Sequence, residues 1–179
     1  MRHKIYPILI LLICFNFIAS LQAQTVPNQQ GLTGLKATAA KTIDAWHEAA
    51  ADADFERYFS LMTQDGVFVG TDATEHWENE AFRRFSKPYF DRGKAWTFKS
   101  LERHIYQGGS NIWFDELLDT QMGICRGSGV LEYEEGQWKI AHYVLSIAVP
   151  NNQVDRLMSL KKAQDSISIM RLKGLDFSH

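Results

Sequence analysis

Cysteine and proline are scarce in this chain. Its 179 residues include two cysteines and four prolines. Cys14 lies inside an apolar N-terminal run, so only Cys125 remains downstream, and a lone cysteine closes no intramolecular disulfide. The core must therefore be stable through packing, with Cys125 either a small buried hydrophobe or a reactive or intermolecular thiol. No cysteine pair has metal-ligand spacing, and His76, His104 and His142 fall at no diagnostic interval, so neither a zinc or iron centre nor any other cofactor is expected. Charge of one sign is lacking too. The formal net charge is −2, and the first 23 residues carry cations but no acid, so the remainder is slightly more acidic. That balance excludes a nucleic-acid binder by bulk charge.

Long apolar runs are absent after the N-terminus. Arg2, His3 and Lys4 precede the run Ile5 to Ala19, interrupted by Pro7 and Asn16. The run is short for a bilayer span, and its basic start is that of an export signal, expected over residues 1–23 with cleavage after Ala23. The mature protein is then expected in the periplasm or outside the cell, with no membrane span. The composition, 45% hydrophobic and 22% charged, excludes a disordered or collagenous chain. A remainder of about 150 residues is expected to form one soluble domain around one core.

Aromatics locate that domain. All five tryptophans lie between Trp46 and Trp138, and Pro88 is the only proline between Pro27 and Pro150. Leu35, Ala39, Ile43, Trp46 and Ala50 make one apolar helical stripe. Phe55, Tyr58, Phe59 and Met62 make a second after Asp52 or Asp54, either of which can cap it. A short apolar run at Val67 to Val69 and a turn at Thr71-Asp72 come before a third stripe, Phe82, Phe85 and Tyr89, expected to end at Pro88 and Gly93. The second half reads as four strands, about 96–107, 112–122, 124–133 and 137–149, joined by tight glycine-bearing turns and therefore antiparallel. In the first of them the bulky residues change phase between Phe98 and Leu101, which predicts a bulge. Helices on one side of a bent, mostly antiparallel sheet make an α+β architecture with a pocket on the concave side. Beyond Asn151, Val154 to Lys162 can form a short docked helix, whereas Ser166 to Leu172 fits neither period.

Strand alternation selects the candidate chemistry. In the last strand it puts Trp138, Ile140, His142, Val144 and Ser146 on one face, so His142 is expected in the pocket as an acid or base. Of Asp115 and Glu116 only one carboxylate can face the cavity, and Arg103 and His104 likewise cannot share a face. An inward Arg126 needs a carboxylate from the protein or from a ligand. Gly127 and Gly129 permit close approach of a backbone or a ligand. The stretch from Gly70 to Trp77 concentrates hydrogen-bonding groups on a connection, a common place for binding residues. Asp115, Glu116 and His142 are thus the catalytic candidates. Tyr58, Asp72, Trp77, Trp96, His104, Arg126 and Trp138 are the ligand-binding ones. Each has a plain structural reading as well: a core histidine, a surface ion pair, a turn or a tryptophan covering the core.

The blocks GTDATEHW (70–77), KPYF (87–90), GKAWTF (93–98), WFDELLD (113–119), GICRGSGVL (123–131) and EEGQWKIAHYVLSIAVPN (134–151) occur in that order. Together they resemble the SnoaL-like branch of the nuclear transport factor two-like superfamily over residues 35–151, leaving a signal at 1–23, a polar leader at 24–34 and a tail at 152–179. The resemblance implies a cone-shaped, cystatin-like α+β fold, N-terminal helices against a strongly curved sheet, and frequent homodimerisation through the sheet's outer face. It implies no single activity, because superfamily members include isomerases, dehydratases, cyclases and non-catalytic domains. No motif here matches a catalytic set of that superfamily residue by residue. The expected function is an exported domain binding a small apolar or aromatic molecule in an aromatic-lined cone. The alternatives are a cofactor-free isomerase, dehydratase or cyclase using a pocket carboxylate or histidine, and a dimeric scaffold without ligand.

Overall fold

The computed structural model describes residues 29–174. The expected signal, 1–23, lies outside the described residues. Helix α1 (Gln29–Ala51) begins within the stretch expected to be a polar leader. Its stripe buries Ala39, Ile43, Trp46 and Ala50 completely, while Lys41, Asp44 and Glu48 stay exposed. Ala53 turns the chain at φ 55°. Asp54 then caps α2 (Phe55–Ser60), its carboxylate accepting the Arg57 N–H at 3.0 Å and satisfying one of the helix's otherwise unpaired first-turn donors.

Strand β1 (Met62–Val69) is longer than the apolar run alone suggested, and the start of the expected binding connection is a hairpin. After Gly70 the chain returns as the short strand β2 (His76–Glu78), which pairs antiparallel with the end of β1. Helix α3 (Asn79–Asp91) contains Pro88 instead of ending there. Pro88 and Arg84, one turn earlier, are both exposed, so the Arg84 carbonyl that loses its N–H partner can tilt towards water. The helix stops at Gly93, whose φ of +74° suits only glycine at low cost.

Strands β3 (Phe98–Gly108), β4 (Asn111–Thr120), β5 (Gly123–Glu134) and β6 (Gln137–Ile147) follow as an antiparallel meander. The sheet order is β2-β1-β6-β5-β4-β3, with β1 and β6 the parallel pair. Its pairing shifts register at three places, one in the β1–β6 pair between Met62 and Val67 and two in the meander. Of these two bulges, one falls between Ser100 and Glu102 in β3, where the change of phase predicted it. The other is at Ala141: Val130 pairs with His142, and Leu131 with Ile140.

The second bulge corrects the simple alternation of β6. An extra residue flips every later side chain to the opposite face. Trp138 and Ile140 face inward, and after the bulge Tyr143 and Leu145 do so, while His142 and Val144 face the outer side. The enclosed core is aromatic. Trp46 of α1 stacks on Tyr58 at 4.9 Å and meets Tyr143 edge-on at 4.9 Å. Phe68 stacks on Phe82 at 4.3 Å, tying β1 to α3. Each such ring contributes roughly 1.5–3 kcal/mol by leaving water, plus about 0.5–1.5 kcal/mol per well-placed ring pair.

After a single 3-10 turn at Asn151–Gln153, helix α4 runs Val154–Leu172, through the segment whose periodicity was ambiguous. None of its residues is buried. No helix among the described residues is long and apolar enough to cross a membrane. A chain ending at Gln153 is expected to melt within about 4 °C of the full chain, since little stabilising burial is lost. A fall of more than about 8 °C, followed by circular dichroism, would show that α4 supports the sheet.

Candidate functional site

Inside the cone, one carboxylate organises four elements. Glu116 of β4 is 1% exposed. Its Oε1 accepts from His47 Nε2 of α1 at 2.7 Å and from the Tyr143 hydroxyl of β6 at 3.0 Å. Its Oε2 accepts from Arg103 Nε of β3 at 2.9 Å, with Arg103 Nη2 at 2.8 Å from the same oxygen. Arg103 Nη1 continues to Asp44 Oδ1 at 2.7 Å on the exposed side of α1. Burial pushes the Glu116 carboxyl up, but the hydrogen bond and charge of His47 and the Arg103 guanidinium more than offset this and hold it below the usual carboxylate range. Burial lowers and the Glu116 and Asp44 carboxylates raise the Arg103 guanidinium, which ends above its ordinary value. Burial and the adjacent Glu116 raise the Tyr143 hydroxyl well above its own.

The cavity lies beside this network, at the end of the cone bounded by the β1–β2 hairpin, α3 and the loop before β3. Its volume is about 320 Å³. The floor comes from Phe68, Phe98 and Leu145, and the walls from Trp77, Phe82, Phe85, Tyr89 and Trp96, with Glu75, Gln121 and Met122 also lining it. Trp77 stacks on Phe85 at 4.3 Å, and Phe82 on Trp96 at 5.9 Å. Phe98 separates cavity from network: it lines the one and meets the His47 ring at 5.6 Å, 72°. None of His47, Arg103, Glu116 and Tyr143 lines the cavity.

The model of the SnoaL-like domain family matches residues 39–150. The chain belongs to the SnoaL-like domain family. Solved structures agree on the fold at low identity. An NTF2-like protein of unknown function from Pseudomonas putida has 15% identity over 68% of this chain and 92% of its own, with a TM-score of 0.57. A protein from Streptomyces avermitilis, provisionally assigned as a dehydratase of the NTF2-like family, has 14% identity over 66% and 99%, with a TM-score of 0.57. The association domain of CaMKII from C. elegans has 19% identity over 64% and 97%, with a TM-score of 0.54. No curated protein matches the chain in sequence.

In this SnoaL-like domain the candidates expected from alternation separate. Trp77 and Trp96 line the cavity. Glu116 faces inward but belongs to the ionic network. Asp115 and Arg126 lie on the outer face of the sheet, 4.0 Å apart, and His104 is there too, 2.7 Å from Glu102. His142 is on the same outer face because of the Ala141 bulge, so Asp115, Glu116, Arg126 and His142 do not converge on one pocket. Tyr58 is buried in the core beneath Trp96 at 5.5 Å, where burial raises its hydroxyl well above the ordinary value. Trp138 is buried against Tyr133 at 5.2 Å. Asp72 is exposed in the hairpin turn, and the Thr74 hydroxyl and N–H at 2.6 and 2.8 Å hold its carboxyl below its usual range. Among the described residues no group of three or more His, Cys, Asp or Glu is placed to hold a metal ion.

The residues alternation missed had a readable signal. The two-residue turn at Gly109-Ser110 pairs Gly108 with Asn111, and following the hairpin from there puts Arg103 opposite Glu116. The glycines of β5 make room for the chain itself. A Cβ at Gly127 would lie 2.1 Å from the Tyr143 hydroxyl oxygen, and one at Gly129 2.7 Å from the Phe114 ring.

Glu116→Gln is expected to cost about 3–5 kcal/mol at neutral pH, because Arg103 keeps its charge in the interior without this counter-ion. The wild-type carboxyl titrates lower folded than unfolded. Its contribution is therefore complete above the unfolded value of about 4.3 and is lost as pH falls through the folded value. Urea unfolding should show the gap between the two proteins closing below about pH 4. A gap that stays constant with acidification would refute this account of Glu116.

Proposed function

We propose that this SnoaL-like domain is exported and holds a small apolar or aromatic molecule in its cone cavity without chemically changing it. The observation that carries the reading is the division of the interior. The cavity is walled by aromatic rings, with Glu75 at its edge and the Glu75 Oε2 engaged by the Asp72 N–H, and the buried carboxylate of Glu116 spends its oxygens on His47, Arg103 and Tyr143 behind Phe98. A general base must reach the proton it abstracts, and Glu116 meets its own chain instead. A cavity near 320 Å³ is at the small end of the usual range for ligand pockets. The basic start and the apolar run Ile5 to Ala19 within residues 1–23 support delivery out of the cytoplasm.

Neutral naphthylmethanol is a suitable probe. It should quench or shift the emission of Trp77 and Trp96 on titration and show saturable one-to-one binding by calorimetry. Ala95→Trp, which fills the cavity from its wall, should weaken binding by at least about tenfold, or ~1.4 kcal/mol. Binding that Ala95→Trp leaves unchanged would place the ligand elsewhere.

The same reading includes a homodimer through the outer face of the sheet. Tyr106, Trp113 and Ile124 are large apolar side chains exposed there, with Tyr106 and Trp113 stacked at 5.9 Å. Exposed aromatic surface of this kind is typical of association sites. One protein of similar fold is itself described as an association domain. Sedimentation equilibrium should give twice the chain mass, and Trp113→Lys should shift it to one chain mass. A wild-type monomer at about 100 µM, weaker than nearly all specific dimers, would refute the dimer.

A further inference from the structure

The cavity proposed above as a binding site has one charged group in its wall. Glu75 is presented by the turn between β1 and β2. Its carbonyl accepts the Gly70 N–H at 2.9 Å, its own N–H donates to the Asp72 carbonyl at 2.9 Å, and its Oε2 accepts the Asp72 N–H at 3.2 Å. The side chain lies back across Gly70, where an added Cβ would come 2.1 Å from Oε2. The absence of a side chain at residue 70 thus sets where the carboxylate rests, half-buried at the cavity edge.

Nothing in that cavity neutralises it. No Lys, Arg or His among the described residues comes within ion-pair distance of Glu75, and none lines the cavity. His76 and, from α4, Lys161 and Arg171 line an adjoining groove that shares Gly70, Thr71 and Glu75 with the cavity and whose other walls include the outward-facing Val69, Val144 and Ser146. The remaining polar groups of the wall, on Thr71, Tyr89 and Gln121, are uncharged. Aromatic rings also present a negative face to whatever they enclose. An anion entering would lose its water beside a carboxylate and π-faces, whereas a cation would exchange water for both.

We propose that Glu75 makes this cavity selective for apolar molecules that carry a positive charge, with arylalkyl ammonium ions as the favoured class and aryl carboxylates excluded. The inference rests on the cavity being a binding site. Neutral hydroxyl donors rank between the two, since they hydrogen-bond the carboxylate without its full Coulomb attraction.

Three probes of one size separate the two claims: naphthylmethylammonium, naphthylmethanol and naphthoate, titrated calorimetrically at pH 7 and low salt. The ammonium ion should bind at least about tenfold more tightly than naphthoate, ~1.4 kcal/mol, with naphthylmethanol between. Glu75→Gln should bring the three to within about twofold of one another, chiefly by weakening the ammonium ion and admitting naphthoate. Gly70→Ala, which keeps the charge but displaces the carboxylate, should also narrow the ratio. Equal binding of all three to the wild-type chain would overturn the role of Glu75 and leave the cavity reading intact. So would a tenfold preference that survives Glu75→Gln. If none of the three binds, the cavity reading falls and this inference with it.

Discussion

The need to satisfy one buried carboxylate shapes much of this fold. Glu116 sits at the centre of β4, where water cannot reach it, and an ionised carboxylate there is tolerable only with donors on both oxygens. Those donors come from three other elements, His47 from α1, Arg103 from β3 and Tyr143 from β6. Each imposes a local condition. Tyr143 reaches inward only because the extra residue at Ala141 flips the phase of β6. Its hydroxyl fits only because position 127 of the intervening strand has no side chain. Arg103 stands opposite Glu116 only because the β3–β4 turn has two residues.

A buried ion network of this kind adds little net stability over a well-packed apolar substitute. Its effect is better understood as selection among arrangements. Helix α1 offers an apolar stripe that could slide by a turn against the sheet with modest loss of contact. Moving His47 and Asp44 by one turn would leave Glu116 and Arg103 short of partners, and the penalty for orphaned buried charge is several kcal/mol. The network thus fixes where α1 crosses the sheet. With it, Trp46 is set between Tyr58 and Tyr143.

The fold was largely legible in the sequence because its signals are local. The stripe from Leu35 to Ala50, the glycine-bearing turns and the change of phase near Leu101 each report on a few neighbouring residues, and each corresponds to an element or bulge of the structure. The site was much less legible. His142 was expected inside because alternation was carried through Ala141, and no residue type in Lys139-Ile140-Ala141-His142 marks an inserted position. Glu116 and Asp115 looked equivalent because they are adjacent. Pairing the hairpin back from its turn would have separated them, since it puts Arg103 beside Glu116 and His104 beside Asp115. His47 could not be recognised from α1 alone: it borders the apolar stripe, and its partner lies 69 residues away.

The two halves of the cone interior place opposite demands on side chains, and the ring of Phe98 lies between them. On one side, fixed donors surround a fixed charge, and a change in any member is felt by the rest. On the other, stacked rings enclose space and leave a carboxylate without a counter-ion at the edge. Stacked aromatics with two torsions each have little freedom to lose, so a guest of the kind proposed would meet a wall already close to its occupied form. The rigid half makes this possible. If α1 could shift on the sheet, Phe98 would lose the edge contact with His47 that holds its ring, and the cavity floor would relax inward. The polar network therefore acts on the cavity through packing, keeping open a space that the aromatic core would otherwise fill.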